Sequence, residues 1–301
     1  MQAEKLYLSD EQLPGFFLTS DAASGKAQRA ALNGNRVRLI GAIGAAVGGA
    51  FSFSIGHLDL WALVALVGFI AAFSAELYMA TQQPERDWYQ ARAGAESAKT
   101  LSWRYAVCAD PFFADLPAQD ADNLFRTRIS QVAKQVSQAV ALPSGDGSSP
   151  TPAMKVIRNS PLGDRREIYL RDRTRAQRDW YTRKSAANKK ASAWWRVSLL
   201  AAELIAVTLA AGRLFGGWEL DLAGVLAAGI GAGAAWLALK QHTVLRSAYA
   251  LTAAELEKQI ATLTAAEDAN WSESVADAEE AISREHTMWL ASRSDVNEMT
   301  G

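Results

Sequence analysis

Apolar residues along this chain fall into two blocks, Leu39 to Met79 and Val197 to Leu239. Each block breaks once at a short polar segment. That leaves four apolar stretches: Leu39 to Ile55, Leu60 to Met79, Val197 to Phe215 and Leu222 to Leu239. A helix that crosses a bilayer needs roughly 17–25 apolar residues, so each stretch lies at the short end of that range. A soluble bundle built from the same helices would show a polar stripe along one face of each. Leu60 to Ser74 and Leu222 to Leu239 carry no charged residue at any helical phase. The pattern predicts two transmembrane hairpins, with spans at 39–55, 60–79, 197–215 and 222–239.

The polar segments read as helices too. Pro84 to Ala106 carries Trp88, Tyr89, Leu101, Trp103 and Tyr105, and Asp110-Pro111 ends that helix. Leu124, Phe125, Ile129, Val132, Val136 and Val140 recur at helical spacing, which predicts an amphipathic helix over 118–140. Residues 142–160 begin with a Ser, Gly and Pro run and are expected to be a linker. A basic stalk helix is expected over 161–195, and further helices over 240–295. The expected fold is all-α: a membrane protein with two transmembrane helical hairpins, four spans in all, and long cytoplasmic helices forming a bundle. Its two units would cover residues 1–141 and 161–301.

Charge orients this frame. Arg29, Arg36 and Arg38 precede the first hairpin, and Arg86 and Arg92 come after it. Lys189, Lys190 and Arg196 precede the second, and Lys240 and Arg246 come after it. The breaks inside the hairpins carry only His57 and Asp59 in one case, and Arg213, Glu219 and Asp221 in the other. Lysine and arginine bias loops toward the cytoplasm, so both termini and the middle segment are expected inside, in the inner (cytoplasmic) membrane. Trp61 and Trp218 then fall at the outer turns, with Tyr78, Trp194, Trp195 and Trp236 near the inner surface. The start of the chain has no basic flank running into an apolar core, so no secretory signal is expected.

Few residues inside the stretches carry chemistry. Glu203 lies well inside the third, and Glu76 near the inner end of the second. A carboxylate at bilayer depth is unfavourable by about 2.5–3.5 kcal/mol on insertion scales, so it usually faces protein or water. Both are candidate pore-lining groups, with Thr208 as a weaker one. Glu203 could instead be protonated or pair with Arg213, and Thr208 could bond back to its own helix. Gly44 with Gly48, and Gly229 with Gly233, place glycines four apart on one helix face, where close packing within a hairpin or between protomers is expected. The relaxed dinucleotide pattern Gly229-x-Gly231-x-x-Ala234 lacks the preceding strand that motif needs, so it is read as accidental.

Outside the stretches, Lys189, Lys190 and Arg196 stand where anionic lipid headgroups would be. The stalk arginines from Arg165 to Arg183 lie farther off, and are expected to pair instead with the acidic carboxy-terminal region from Glu255 to Glu285. The net charge of −1 implies no attraction to nucleic acid. One cysteine, Cys108, excludes an intrachain disulfide and a Cys-rich zinc site. The histidines His57, His242 and His286 lack metal-ligand spacing. With no P-loop, no nucleophile elbow and no compact carboxylate set, no enzyme, catalytic residue, cofactor or metal is expected.

Pro161-Leu162, then Arg166, Tyr169, Arg173, Gln177, Trp180-Tyr181, Lys184 and Asn188, then a hairpin, resembles the SLATT domain. So does the tail, with Trp271, Glu279, Ile282, Glu285-His286 and Trp289. The first half is similar to a second copy: Asp21, Ser24, Gln28 and Arg29 stand before its hairpin, and Glu96, Ser97, Lys99 and Trp103 after it. The family name denotes two-transmembrane effector domains associated with SMODS nucleotidyltransferases and SLOG nucleotide sensors. The resemblance implies an oligomeric, pore-forming or membrane-disrupting effector of a bacterial nucleotide-signalled conflict system. Its implied partners are membrane lipid, further copies of itself and a nucleotide-sensing or nucleotide-producing protein. The alternative is a non-conducting scaffold or sensor that recruits partners through its helical bundle.

Overall fold

The structure, a computed structural model, describes residues 6–137, 146–216 and 221–298, with side chains described as far as Ser283. Val140, Trp218, Glu219 and the side chains of Glu285, His286 and Trp289 lie outside the described residues. The regular structure among the described residues is helical, apart from one two-stranded hairpin. Among the described residues ten α-helices run in order: α1 Gly15–Ala50, α2 Leu60–Gln82, α3 Pro84–Ala106, α4 Ala118–Gln135, α5 Pro152–Arg158, α6 Leu162–Ile168, α7 Ala176–Gly216, α8 Leu222–Lys240, α9 His242–Ala265 and α10 Asp268–Glu298. A π-helical segment, Tyr169–Arg175, joins α6 to α7 without a break.

Close contacts divide the chain into two units, each drawing on both halves of the sequence. One holds residues 1–27, 85–185 and 247–301; the other holds 28–84 and 186–246.

The second unit contains the apolar stretches, and its apolar side chains point outward. Phe73 is 70% exposed, Leu204 69% and Val207 66%. A soluble bundle would turn such residues inward, whereas a lipid-facing one leaves them out. Among the described residues three helical runs are long and apolar enough to cross a membrane: Leu60–Gln82, Leu162–Gly216 and Leu222–Ala265.

The expected first span, 39–55, differs from the structure. Helix α1 ends at Ala50, and Ser54–Ile55 pairs antiparallel with Leu58–Asp59 as strands β1 and β2. Gly56, at φ +63°, makes the two-residue turn between them. The reason is local: β-branched Ile55 before Gly56-His57 favours a hairpin over another helical turn, and the Asp59 carboxylate accepts from the Trp61 and Ala62 amides to start α2. Asp221 caps α8 the same way, accepting from the Gly224 amide at 3.0 Å while Arg213 pairs with it at 2.7 Å.

The first unit buries a core of Phe16, Tyr105, Phe112, Phe125, Ile129, Met154, Ile157, Tyr169 and Trp271, among others. In α4 the buried stripe is Ala121, Phe125, Ile129 and Ala133, one residue per turn, and the helix stops at Gln135 rather than 140. The expected linker is helical over part of its length. Thr151 caps α5, Pro152 starts it, and Met154 and Ile157 enter the core.

Candidate functional site

The π-helical segment carries the densest polar constellation in the first unit. An α-helix brings residues four apart onto one face, whereas a π turn widens that to five, and such segments are frequent at functional positions. Here Tyr169, Leu170, Arg173 and Thr174 are all buried together. Arg173 reaches Glu279 of α10 through two parallel hydrogen bonds, Nε to Oε1 at 2.8 Å and Nη2 to Oε2 at 2.7 Å. Their side chains are 1% and 0% exposed. The Tyr169 hydroxyl donates to Oε1 at 2.9 Å, and the Thr100 hydroxyl to Oε2 at 2.8 Å. The carboxylate therefore receives four donors.

Burial alone would push the Glu279 carboxyl up. The Arg173 charge and the hydrogen bonds from Arg173, Thr100 and Tyr169 outweigh it and hold the group below its ordinary value. Burial and the Glu279 charge push the Tyr169 phenol well above its own. Burial disfavours the Arg173 charge, but Glu279 more than restores it. The shared hydrogen bonds and the matched charges tie the stalk to α10.

Around this pair the aromatics close. Tyr169 meets Trp103 and Trp271 edge-on, at 5.8 and 6.0 Å between ring centres. Trp271 donates from Nε1 to the Val107 carbonyl at 2.7 Å, which also accepts from Arg165. A smaller cluster packs Tyr181, Leu256 and Ile282 with Trp180 and Tyr249. Tyr169, Arg173, Trp180, Tyr181, Trp271, Glu279 and Ile282, separate positions in the sequence, thus converge on two cores. The expected pairing of stalk arginines with the acidic tail is present for Arg173 with Glu279 and for Arg178 with Glu257.

A second buried cation has no counterpart among the residues that the sequence pattern singles out. Arg158, at the end of α5, donates to the carbonyls of Tyr105, Phe112 and Phe113 at 3.2, 2.8 and 2.8 Å. It stacks over Tyr105, whose hydroxyl binds Asp122. The segment after α3 therefore folds around a guanidinium. Hydrogen bonds to a charged donor contribute about 1.5–3 kcal/mol each. Arg158→Met is expected to expose the amides of Phe112 to Leu116 to hydrogen exchange before those of α10. Uniform loss of protection would show that Arg158 holds the whole core instead.

In the second unit the expected lining residues separate. Glu76 pairs with Arg38 at 2.9 Å. Glu203 is exposed on α7 and has no ion-pair partner among the described residues; Arg213 is engaged by Asp221. Thr208 donates back to the Leu204 carbonyl at 2.9 Å. Lys189, Lys190 and Arg196 are exposed. At the foot of the hairpins Arg36 and Lys240 both lie over the Trp236 ring, at 5.5 and 5.0 Å.

The glycines also separate. A Cβ on Gly48 would come within 2.4 Å of the Ala65 nitrogen, and one on Gly233 within 3.1 Å of Leu199 Cδ2. A Cβ on Gly44 or Gly229 would meet nothing within 4 Å. Two glycines that the four-residue spacing does not single out make the closest approach beside Gly48. Gly41 and Gly68 face one another, so that a Cβ on either would come within 2.7 Å of the other's carbonyl oxygen. Their spacing from Gly48 and Ala65 was available as a signal, but not which face meets α2. No group of three His, Cys, Asp or Glu is placed to hold a metal among the described residues.

Comparison with known families agrees with this arrangement of two hairpins in one chain. A family model described as SMODS and SLOG-associating 2TM effector domain 3 matches residues 14–166, just over half the chain. A second, SMODS and SLOG-associating 2TM effector domain 1, matches residues 169–289. No curated protein and no solved structure matches the chain.

Proposed function

Because the chain belongs to the SMODS and SLOG-associating 2TM effector family as a tandem of two such domains, which points to a membrane effector in conflict systems, we propose that it is an oligomeric, pore-forming effector of a bacterial one. The observation that carries the reading is Glu203, an exposed carboxylate without an ion-pair partner among the described residues, on an otherwise apolar stretch of helix. In lipid that position is unfavourable unless water or protein reaches it, and a ring of copies supplies both. Glu76 has its charge matched by Arg38 and is the weaker lining group.

Two domains of two spans each make four spans. α7 beyond Val197 and α8 measure about 27–30 Å, enough for a hydrocarbon core of about 30 Å. The apolar end of α1, Leu39 to Ala50, measures only about 18 Å. A span that short thins the bilayer beside it, which suits a membrane-disrupting protein. Lysine and arginine at the hairpin feet support a cytoplasmic position for both termini and the middle segment, in the inner membrane. Lys189, Lys190 and Arg196 then meet lipid headgroups. The natural trigger is a nucleotide-sensing or nucleotide-producing partner, and the two domains meet in the chain between residues 166 and 169.

The test is ion flux through the full chain in liposomes under a KCl gradient. Wild type is expected to conduct with cation preference, and Glu203→Gln to move the reversal potential toward zero. An unchanged reversal potential removes Glu203 from the lining. No flux from wild type, with a partner retained from solution, makes the chain a scaffold.

A further inference from the structure

Both hairpins end on the same unusual joint. α2 stops at Gln83 (φ 43°, ψ 48°) and α8 at Gln241 (φ 47°, ψ 37°), each in the left-handed region. Each glutamine amide bonds the carbonyl four residues back, Met79 or Leu237, at 3.1 Å. The next helix starts at once, at Pro84 or His242. Left-handed backbone is unfavourable for any residue with a Cβ, and glutamine lacks the short polar arm that lets asparagine tolerate it. Two such residues at matching places are held there by their surroundings.

The residue after each glutamine is different. Pro84 clashes with a right-handed helical conformation at the residue before it and cannot donate to the helix behind it. Gln83 therefore has no helical alternative. His242 imposes no such block. If Gln241 turns right-handed, α8 and α9 become one continuous helix, and the unfavourable conformation is relieved. The buried Gln241 Oε1, which has no hydrogen-bond partner, loses nothing by the move. The contacts that oppose it include a hydrogen bond from His242 Nδ1–H to Asn188 Oδ1 at 2.6 Å and one shared by the Ser192 and Thr243 hydroxyls at 3.2 Å. Both tie the first residues of α9 to α7.

We propose that Gln241 is a two-state joint, latched in the left-handed state by Asn188 and Ser192 and helical when the latch opens, while Gln83 is locked by Pro84. A signal that pulls α9 from α7 would then extend α8 into the polar part of the chain. This inference rests on the second hairpin being membrane-embedded, and not on conduction.

The experiment places nitroxide labels at Ala234→Cys and Leu251→Cys in the full chain in lipid nanodiscs, with buried Cys108 left in place. A continuous helix sets the two backbone positions about 25 Å apart, and an interrupted one brings them closer. Wild type is expected at the shorter distance. Asn188→Ala with Ser192→Ala should bring up the longer one. Adding His242→Pro, which copies the first joint, should abolish it, and Gln241→Gly in the unlatched background should favour the short distance about fivefold or more. An unlatched protein with the wild-type distance distribution overturns the proposal, as does a longer distance in the His242→Pro form. Because the distance is read whether or not ions flow, failure here is distinct from failure of the pore reading.

Discussion

Glu279→Ala is expected to destabilise the first unit by about 3–5 kcal/mol, because it leaves the Arg173 guanidinium buried without its counter-ion. Arg173→Ala should do the same from the other side. Thermal melting of the detergent-solubilised protein, monitored by tryptophan fluorescence, reads the loss, since Trp103 and Trp271 pack on Tyr169 beside the pair. The double variant Arg173→Met with Glu279→Leu is expected to be more stable than either single one, because no charge then remains desolvated. Equal losses in all three would mean that volume, and not charge, holds the cluster. The same pair sets a pH dependence. The Glu279 carboxyl is held below its ordinary value in the folded protein, so the unfolded chain takes up the proton first as pH falls. Its contribution is fully present above the ordinary carboxylate range and declines as pH drops through it toward the folded value. Glu279→Gln should flatten that acid limb.

Gly48→Val should open the first hairpin, while Gly44→Ala, four residues earlier on the same helix, should leave it intact. A Cβ on Gly48 meets the Ala65 nitrogen at 2.4 Å, the Trp61 oxygen at 2.5 Å and Ala65 Cα at 2.8 Å, all of them backbone. Backbone in a helix cannot yield as a side chain does, so α1 and α2 must separate, at about 1–3 kcal/mol or more. Gly68→Ala should act alike from α2, since its Cβ would lie 2.6 Å from the Ala45 nitrogen and the Gly41 oxygen. Gly44 has open space at its Cβ, and alanine is favoured over glycine inside a helix by about 0.5–1 kcal/mol. Cysteine cross-linking between α1 and α2 in membranes measures the outcome. Loss of the cross-link in the Gly44 variant would place that face in contact with something beyond the single chain.

Both expected results turn on positions where the sequence stopped being legible. Gly44 and Gly48 looked like one pair, because four residues bring two positions onto one helix face. The face that packs is instead the one shared by Gly41, Ala45 and Gly48, and it is chosen by Gly68, Ala65 and Ala72 on the opposite helix. Arg173 and Glu279 were each visible as positions of the family pattern, yet they stand 106 residues apart. Nothing local pairs them over Arg178 or Glu257. Arg158 was invisible, since its partners are carbonyls, which every residue has. The short helix at Pro152 hid behind the composition of the run before it, although Thr151-Pro152 is a start signal.

By itself the sequence determined that this chain is helical, that its apolar residues come as two blocks suited to a membrane, and that basic residues flank both blocks. Those properties are sums over local preferences for lipid or water, and a linear pattern carries them in full. The tertiary structure decided which carboxylate is neutralised and which stands alone, which glycine faces backbone across the hairpin, and that Gln83 and Gln241 turn left-handed where their helices end. Those depend on distances between residues far apart in the chain, where a shift of one helical position exchanges a contact for open space.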